Sequence, residues 1–445
     1  MFRWTQSITA KVLGIGVLAL LMLIPLTQAD GLVRERQSMR DTAIHRVSDG
    51  WGGAQGIGGF VIAMPSLEPA RDVHSGAAAT RDAVHIVLAD EIATTADLAV
   101  SKRRSGMYEV PVYTGDVTIR GRFIPADVNR AAQESGATLF PERAELRLLI
   151  ADTVGLQGIT AVTVDGRPVR LASSSARMGP YSVLSVPMPI DTTRDTPIDF
   201  ALTLRIAGTE AFSALPLARS STVRLRSAWP DPSFQGALLP GKSQVTPQGF
   251  DATWQALDLN RAYGQHWDGT DQEINGRLQA SAFGVRLVQP GSVYQQNDRA
   301  GKYGLLFIAL TFVAFFLFEV LKGLRLHPVQ YLLVGAAMAS FYVLLLALSE
   351  QVGFGAAYLA AAATVVLIVG GYASAVLRAR GAGLVLGGVL ALVYAILYGL
   401  IGAEQYALLI GSVVLVAVIA LLMYLTRRID WYAYGVPFNS QTETP

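Results

Sequence analysis

The residues to weigh first are those whose spelling matches a known chemistry. Gly236-Ala237-Leu238-Leu239-Pro240-Gly241-Lys242-Ser243 has the spacing of a phosphate-binding loop, in which backbone N–H groups and a lysine cradle phosphates. That chemistry needs a strand before the loop and a helix after it, because the helix N-terminus supplies the amides. Here Trp229-Pro230-Asp231-Pro232 precedes and Gln244-Val245-Thr246-Pro247 follows. Neither flank suits the required element, so no nucleotide partner is expected. The five histidines, His45, His74, His85, His266 and His327, fall in no metal-ligand spacing such as HExxH. No Gly-x-Ser-x-Gly elbow is present. Cysteine is absent, which removes disulfides, thiolate ligands and Cys nucleophiles together. The chain is therefore read as non-enzymatic, with no cofactor, no metal and no catalytic residue.

Three acids border long apolar stretches: Glu319, Glu350 and Glu404. An acid inside a membrane span is a functional candidate by default. Glu319 lies three residues before Lys322, where it can pair or snorkel. Glu350 and Glu404 are expected in loops on the other side. Anchoring or packing is the favoured role, and a proton or ion relay the alternative. Gly50–Gly59 is dense in glycine and is expected to make a tight turn into a strand over Phe60–Met64.

The elements that carry these residues follow from hydropathy. The 445 residues are 51% hydrophobic and only 16% charged, against about 25% charged in an ordinary globular chain. A formal charge of +2 implies no nucleic-acid partner. The apolar residues are segregated, from Val12 to Leu26 and again from Gly304 to Leu425. A bilayer core of about 30 Å needs about 20 helical residues. The second block divides at that interval into spans near 304–321, 329–348, 355–377, 383–402 and 405–425. The lipid bilayer is thus an expected partner.

Lys and Arg in short loops set orientation. Lys322 and Arg325, Arg378 and Arg380, and Arg427 and Arg428 follow the second, fourth and sixth spans; Ser349–Gly355 and Gly402–Gln405 contain neither type. With Arg3 and Lys11 also on that side, both ends are expected in the cytoplasm and residues 31–300 outside. Thr27-Gln28-Ala29 offers a second reading of the first span, as a cleaved signal peptide. The expected fold is a membrane protein with an N-terminal transmembrane helix, a large exported β-rich domain and a C-terminal bundle of five transmembrane helices. Its expected parts are residues 1–30, 31–300, 301–432 and a cytoplasmic tail over 433–445.

Within the exported part, residues 141–226 read as strands. Ile159–Val164, the turn Asp165-Gly166 and Arg167–Leu171 carry the Asp-Gly hairpin signal. Phe200–Ile206 and Ser221–Arg226 alternate cleanly. An antiparallel, sandwich-like arrangement is expected, with helices over Leu32–Val47 and Ile124–Ser135, the latter opening at Pro125. Gly383-x-x-x-Gly387 permits close helix packing, and Trp431 with Tyr432 reads as an interfacial belt.

Several stretches resemble the CreD family of bacterial inner-membrane, cell-envelope proteins. They are Lys302–Phe312, Phe315–Glu319, His327-Pro328-Val329-Gln330-Tyr331 through Gly335, Leu344–Glu350, Ala407–Leu409 and Thr426–Tyr432. Weaker echoes are Trp51 with Gln55, and Tyr113 leading to Gly121-x-Phe123. The resemblance implies a role in envelope integrity and stress response, with tolerance of β-lactams and colicins, and no known reaction. Peptidoglycan or envelope proteins become expected partners of the exported part. The candidate functional residues are Glu319, His327, Gln330, Tyr331, Glu350, Arg428, Asp430 and Trp431. A transporter or lipid-handling protein that uses the C-terminal bundle is the alternative.

Overall fold

A computed structural model describes residues 8–71, 78–287, 292–322, 326–376, 380–403 and 406–427. Ten α-helices occur among them: α1 (Ile8–Leu21), α2 (Leu23–Trp51), α3 (Pro125–Ser135), α4 (Gln272–Ala280), α5 (Val293–Lys302), α6 (Gly304–Lys322), α7 (Pro328–Val352), α8 (Phe354–Val376), α9 (Arg380–Gly402) and α10 (Ala407–Thr426). The chain divides into two compact units, residues 1–39 with 291–445, and residues 40–290.

In the first unit, the predicted C-terminal spans coincide with α6 to α10 within a few residues. Among the described residues, six helical segments are long and apolar enough to cross a membrane, and the first begins at Ala10. Met22, Leu26 and Ala29 from the first span share one core with Phe307 and Phe312 of α6 and Phe341 of α7. Thr27-Gln28-Ala29 therefore lies inside a packed helix. Apolar side chains gain little by leaving hydrocarbon for one another, so such helices associate through close backbone approach and polar bonds. The Gly383-x-x-x-Gly387 pair sits at the α8–α9 contact: a methyl group on Gly383 would lie 2.6 Å from the Gly370 carbonyl oxygen.

The second unit holds two sheets around a common core. The main path of one runs, in spatial order, Pro232–Gly236, Phe283–Leu287, Ala211–Ala214, Gln55–Arg71, Glu145–Ile150, Tyr181–Pro187 and Ala172–Met178. Ala78–Val87 and Thr138–Leu139 pair with Gln55–Arg71, and His266–Asp268 pairs with Ala78–Val87. The other sheet runs Lys242–Thr246, Gly249–Leu257, Ala218–Ser227, Ala89–Ser105, Tyr108–Phe123, Ile198–Thr209, Leu156–Val164 and Arg167–Pro168. Alternation works as the sequence suggests: Phe200, Leu202, Leu204 and Ile206 are buried, while Asp199 and Arg205 are exposed. Asp165 and Gly166 both take positive φ, 49° and 72°, as a two-residue hairpin turn requires.

Three expectations need correction. The strand expected over Phe60–Met64 is present within Gln55–Arg71, but strands also fill Ala78–Val87, Ala89–Ser105 and Tyr108–Phe123, ahead of the 141–226 stretch read as strands. Residues 55–64 are buried without a break, so they carry no alternation to detect. The sheets are not wholly antiparallel: Gln55–Ile57 runs parallel to Phe212–Ala214, and Ala218–Ser227 runs parallel to Ala89–Leu98. The chain crosses from one sheet to the other between Thr209 and Ala211 and back between Ala214 and Ala218, next to both parallel pairings. Finally, a strand does precede the phosphate-loop spelling, Pro232–Gly236. A strand also follows it, and Lys242 is its first residue. Among the described residues, no helix follows that loop in sequence to supply its N-terminal amides.

Candidate functional site

Glu319 sits in the last turn of α6 and is 3% exposed. The Leu326 N–H donates to its Oε1 at 2.7 Å, and the Tyr331 hydroxyl to its Oε2 at 2.9 Å. Lys11 of the first span forms the ion pair. The expected pairing with Lys322 is replaced by this partner, 308 residues away in sequence. Tyr331 is held by Phe312 and Phe315, whose rings lie edge-on at 5.7 and 6.4 Å.

His327-Pro328-Val329-Gln330-Tyr331 builds the start of α7. His327 is the N-cap, Pro328 follows where no N–H is needed, and Nδ1 of His327 accepts from Val329 N–H. Gln330 Oε1 accepts from His327 N–H at 3.0 Å, which makes the reciprocal bond of a capping box. The motif is thus a helix start that presents Tyr331 to Glu319.

Glu350 corrects another expectation. It lies in the last turn of α7, not in a loop, and its side chain is 8% exposed. The Tyr294 hydroxyl of α5 donates to its Oε1 at 3.1 Å, and Arg36 Nε of α2 stands 3.6 Å away. Next to it, Asn297 Nδ2 donates to Ser349 Oγ at 3.0 Å. Lys11 and Arg36 are separated by about 37 Å of helix at 1.5 Å per residue. Tyr331 and Glu350, which lie toward opposite ends of α7, are separated by about 28 Å of that helix. The first span is therefore tied to the bundle at both ends, by one carboxylate at each. Arg428, Asp430, Trp431 and Glu404 lie outside the described residues.

In the β-rich unit, the Trp51, Gln55 and Tyr113 echoes meet. Trp51 Nε1 donates to the Tyr113 carbonyl at 3.4 Å, and the Arg103 guanidinium lies 3.6 Å over the Trp51 ring. Buried Gln55 donates from Nε2 to the Asp152 and Ala207 carbonyls, both at 3.1 Å. The Tyr113 hydroxyl donates to the Ala211 carbonyl at 2.7 Å, and burial pushes its pKa far up, so it stays a donor. Gly121 leaves room for Phe200, whose ring would lie 2.4 Å from an added methyl. These residues build a junction between strands rather than an open cleft.

One cluster escaped the sequence reading. Glu68, His85, His266 and Glu134 form a chain of contacts through the unit. His85 and His266 are 181 residues apart, and no local spacing signals them.

Comparisons with known proteins give this chain a family. The profile of the family described as "Inner membrane protein CreD" matches residues 7–432. The Inner membrane protein CreD of Escherichia coli (strain K12) is 32% identical over 421 residues, covering 94% of this chain and 92% of that protein. With that extent of match, and with the His327–Tyr331 motif forming a cap that serves the buried Glu319, the chain belongs to the CreD family of inner membrane proteins.

Proposed function

We propose that this chain is a non-enzymatic envelope-integrity protein. Its β-rich unit is exported to the periplasm and recognises an envelope protein or peptidoglycan, and its spans anchor that unit. Both termini are cytoplasmic, the orientation supported by the Lys and Arg residues of the short loops. The observation that carries this reading is the placement of charge. In α6 to α10 the ionisable residues of type Asp, Glu, Lys and Arg lie only near helix ends, and Glu319 and Glu350 are both engaged with the first span. A solute pathway would need polar or ionisable groups along the middle of the spans. The β-rich unit, by contrast, is far larger than a connection between two spans requires.

A cavity of about 340 Å³ favours a second reading, lipid handling. It lies among Leu306 and Leu310 of α6, Leu400 of α9, and Gly411, Val414 and Val418 of α10.

Two measurements separate these readings. Deleting residues 50–290 while keeping the spans is expected to give a protein that inserts but fails to restore β-lactam or detergent tolerance to a null strain. Restoration by the deletion protein, with loss of tolerance on Glu319→Ala or Gln330→Ala, would move the function into the spans. A Cys replacing Ser233 should react with an impermeant thiol reagent in intact cells, while one replacing Ser440 should react only after lysis. The native chain has no Cys to confuse the result.

A further inference from the structure

Four side chains form a line from the interior of the β-rich unit to its surface. Glu68 is 7% and His85 1% exposed. Ser66 Oγ donates to Glu68 Oε1 at 2.9 Å, and the same oxygen faces His85 Nδ1 at 2.9 Å. His85 Nε2 faces His266 Nδ1 at 3.2 Å, with the rings 5.3 Å apart. His266 Nε2 meets Glu134 Oε2 at 2.9 Å, and the Glu134 side chain is 57% exposed. Four elements are joined: the strands Gln55–Arg71, Ala78–Val87 and His266–Asp268, and α3. Asp268, the register partner of His85, is occupied by Arg81 and by Thr270.

Proton counting shows what this line requires. The ionised carboxylates can only accept, so His85 Nδ1 and His266 Nε2 must each carry a proton. The gap between the rings needs one more. Three protons on four ring nitrogens complete the line, and the resulting single positive charge sits between two carboxylates. A fourth proton puts two N–H groups face to face at 3.2 Å on two cationic rings. We propose that the Glu68–His85–His266–Glu134 line is a proton-operated latch that holds the strand His266–Asp268 and α3 against Ala78–Val87 at neutral pH and releases them in acid.

Burial opposes the fourth proton where it would enter on His85, the more deeply buried of the two rings. Desolvation, the largest influence, pushes the His85 pKa down, against the hydrogen bond and charge of Glu68, which raise it. A histidine whose folded pKa lies below its unfolded value keeps its stabilisation above about pH 6.5 and loses it as pH falls from there. The released piece is small: His266–Asp268 is three residues long and pairs with Ala78–Val87 over three positions. Trp267 within it is buried, and its indole N–H has no partner among the described residues. Facing imidazole nitrogens can also hold a metal ion, but no third His, Cys, Asp or Glu is grouped with them among the described residues.

The test uses the full chain in lipid nanodiscs and hydrogen exchange at pH 7.5 and 5.0, corrected for the intrinsic pH dependence of exchange. Backbone amides over 266–268 and at the end of α3 should exchange about tenfold faster at pH 5.0, the change that about 1.4 kcal/mol of lost local stability gives. His85→Gln, which still donates one hydrogen bond but takes no proton, should flatten the response. Equal corrected exchange at both pH values in the unaltered chain overturns the latch, whatever the variant does. So does a response that persists in a folded His85→Gln protein. A response abolished by a chelator and restored by zinc would assign the facing nitrogens to a metal instead.

Discussion

In the membrane unit, Glu319 and Glu350 each gather partners from separate helices, a cation of the first span among them. In the β-rich unit, the ion pairs Arg224–Asp251, Arg226–Asp97 and Lys102–Glu109 are half exposed, and the interior is mainly apolar, with the Glu68–His85 contact among its few buried charged groups. The difference follows from solvent. Water-driven apolar burial at about 25 cal/mol per Å² organises the sheets, and pairs at their surface contribute about 0–1 kcal/mol each. Hydrocarbon offers no such drive between helices, so a few buried polar bonds fix which helix lies beside which. Deleting one charge should therefore damage the first unit more than the second, while the β-rich unit should be damaged most where a methyl group is added at a close backbone approach such as Gly52.

The largest effect is expected at Glu319. Glu319→Ala leaves the Tyr331 hydroxyl and the Leu326 N–H without their acceptor and Lys11 without its pair. Breaking a buried pair costs about 3–5 kcal/mol. Lys11 retains 29% side-chain exposure, which places the cost near about 3 kcal/mol. Denaturant unfolding in detergent micelles measures it. Coupling in the Lys11→Met, Glu319→Gln double variant checks that the pair is the source; strictly additive effects would show that the two residues do not act together.

Gly52→Ala should come next, at about 2–3 kcal/mol. Gly52 has φ of +104°, and a methyl group there would lie 2.6 Å from the Gly155 Cα. Backbone lies on both sides of that contact, so no flexible side chain can yield. Thermal unfolding of the full chain is the measurement, and an unchanged midpoint would contradict the close packing of this junction. Glu350→Gln should cost less, about 1 kcal/mol. The amide oxygen still accepts from Tyr294, and Arg36 is 41% exposed and 3.6 Å away. A loss as large as that of Glu319→Ala would erase the distinction between the two ends of the first span.

The sequence was legible where one physical rule acted alone. Spans came from length and apolarity, so α6 to α10 fell where expected. The hairpin at Asp165-Gly166, the α3 start at Pro125 and the alternation over Phe200–Ile206 likewise depend on neighbours in sequence. Legibility ended where partners come from afar. Of strand Gln55–Arg71 only Phe60–Met64 was read, because residues 55–64 are buried without a break and carry no period to mark the strand's extent. Glu319 was identifiable as an intramembrane acid, but Lys322 was nearer in sequence than Lys11. Glu350 looked like a loop residue because Ser349 and Gln351 flank it, yet α7 continues to Val352. Nothing local joins His85 to His266, since their strands pair only in the folded sheet.

The smallest effect is expected at Lys242, where the spelling of a phosphate loop is strongest. Lys242 opens the edge strand Lys242–Thr246, whose residues 242–245 are all exposed. Its backbone pairs in register with Thr253, and that pairing does not depend on the side chain. A working phosphate loop would aim its lysine and the amides of a following helix at one anion. Here a strand occupies that place, so the amides after Lys242 serve the sheet ladder with Gly249–Leu257. Removing an exposed side chain away from caps, cores and networks changes stability by less than about 0.5 kcal/mol. Lys242→Ala should therefore leave the unfolding midpoint, the protein level and the envelope phenotype unchanged. Loss of tolerance at normal protein level would mean that this loop contacts a partner, and would place a charge-dependent site on the unit where charge is otherwise expected to matter least.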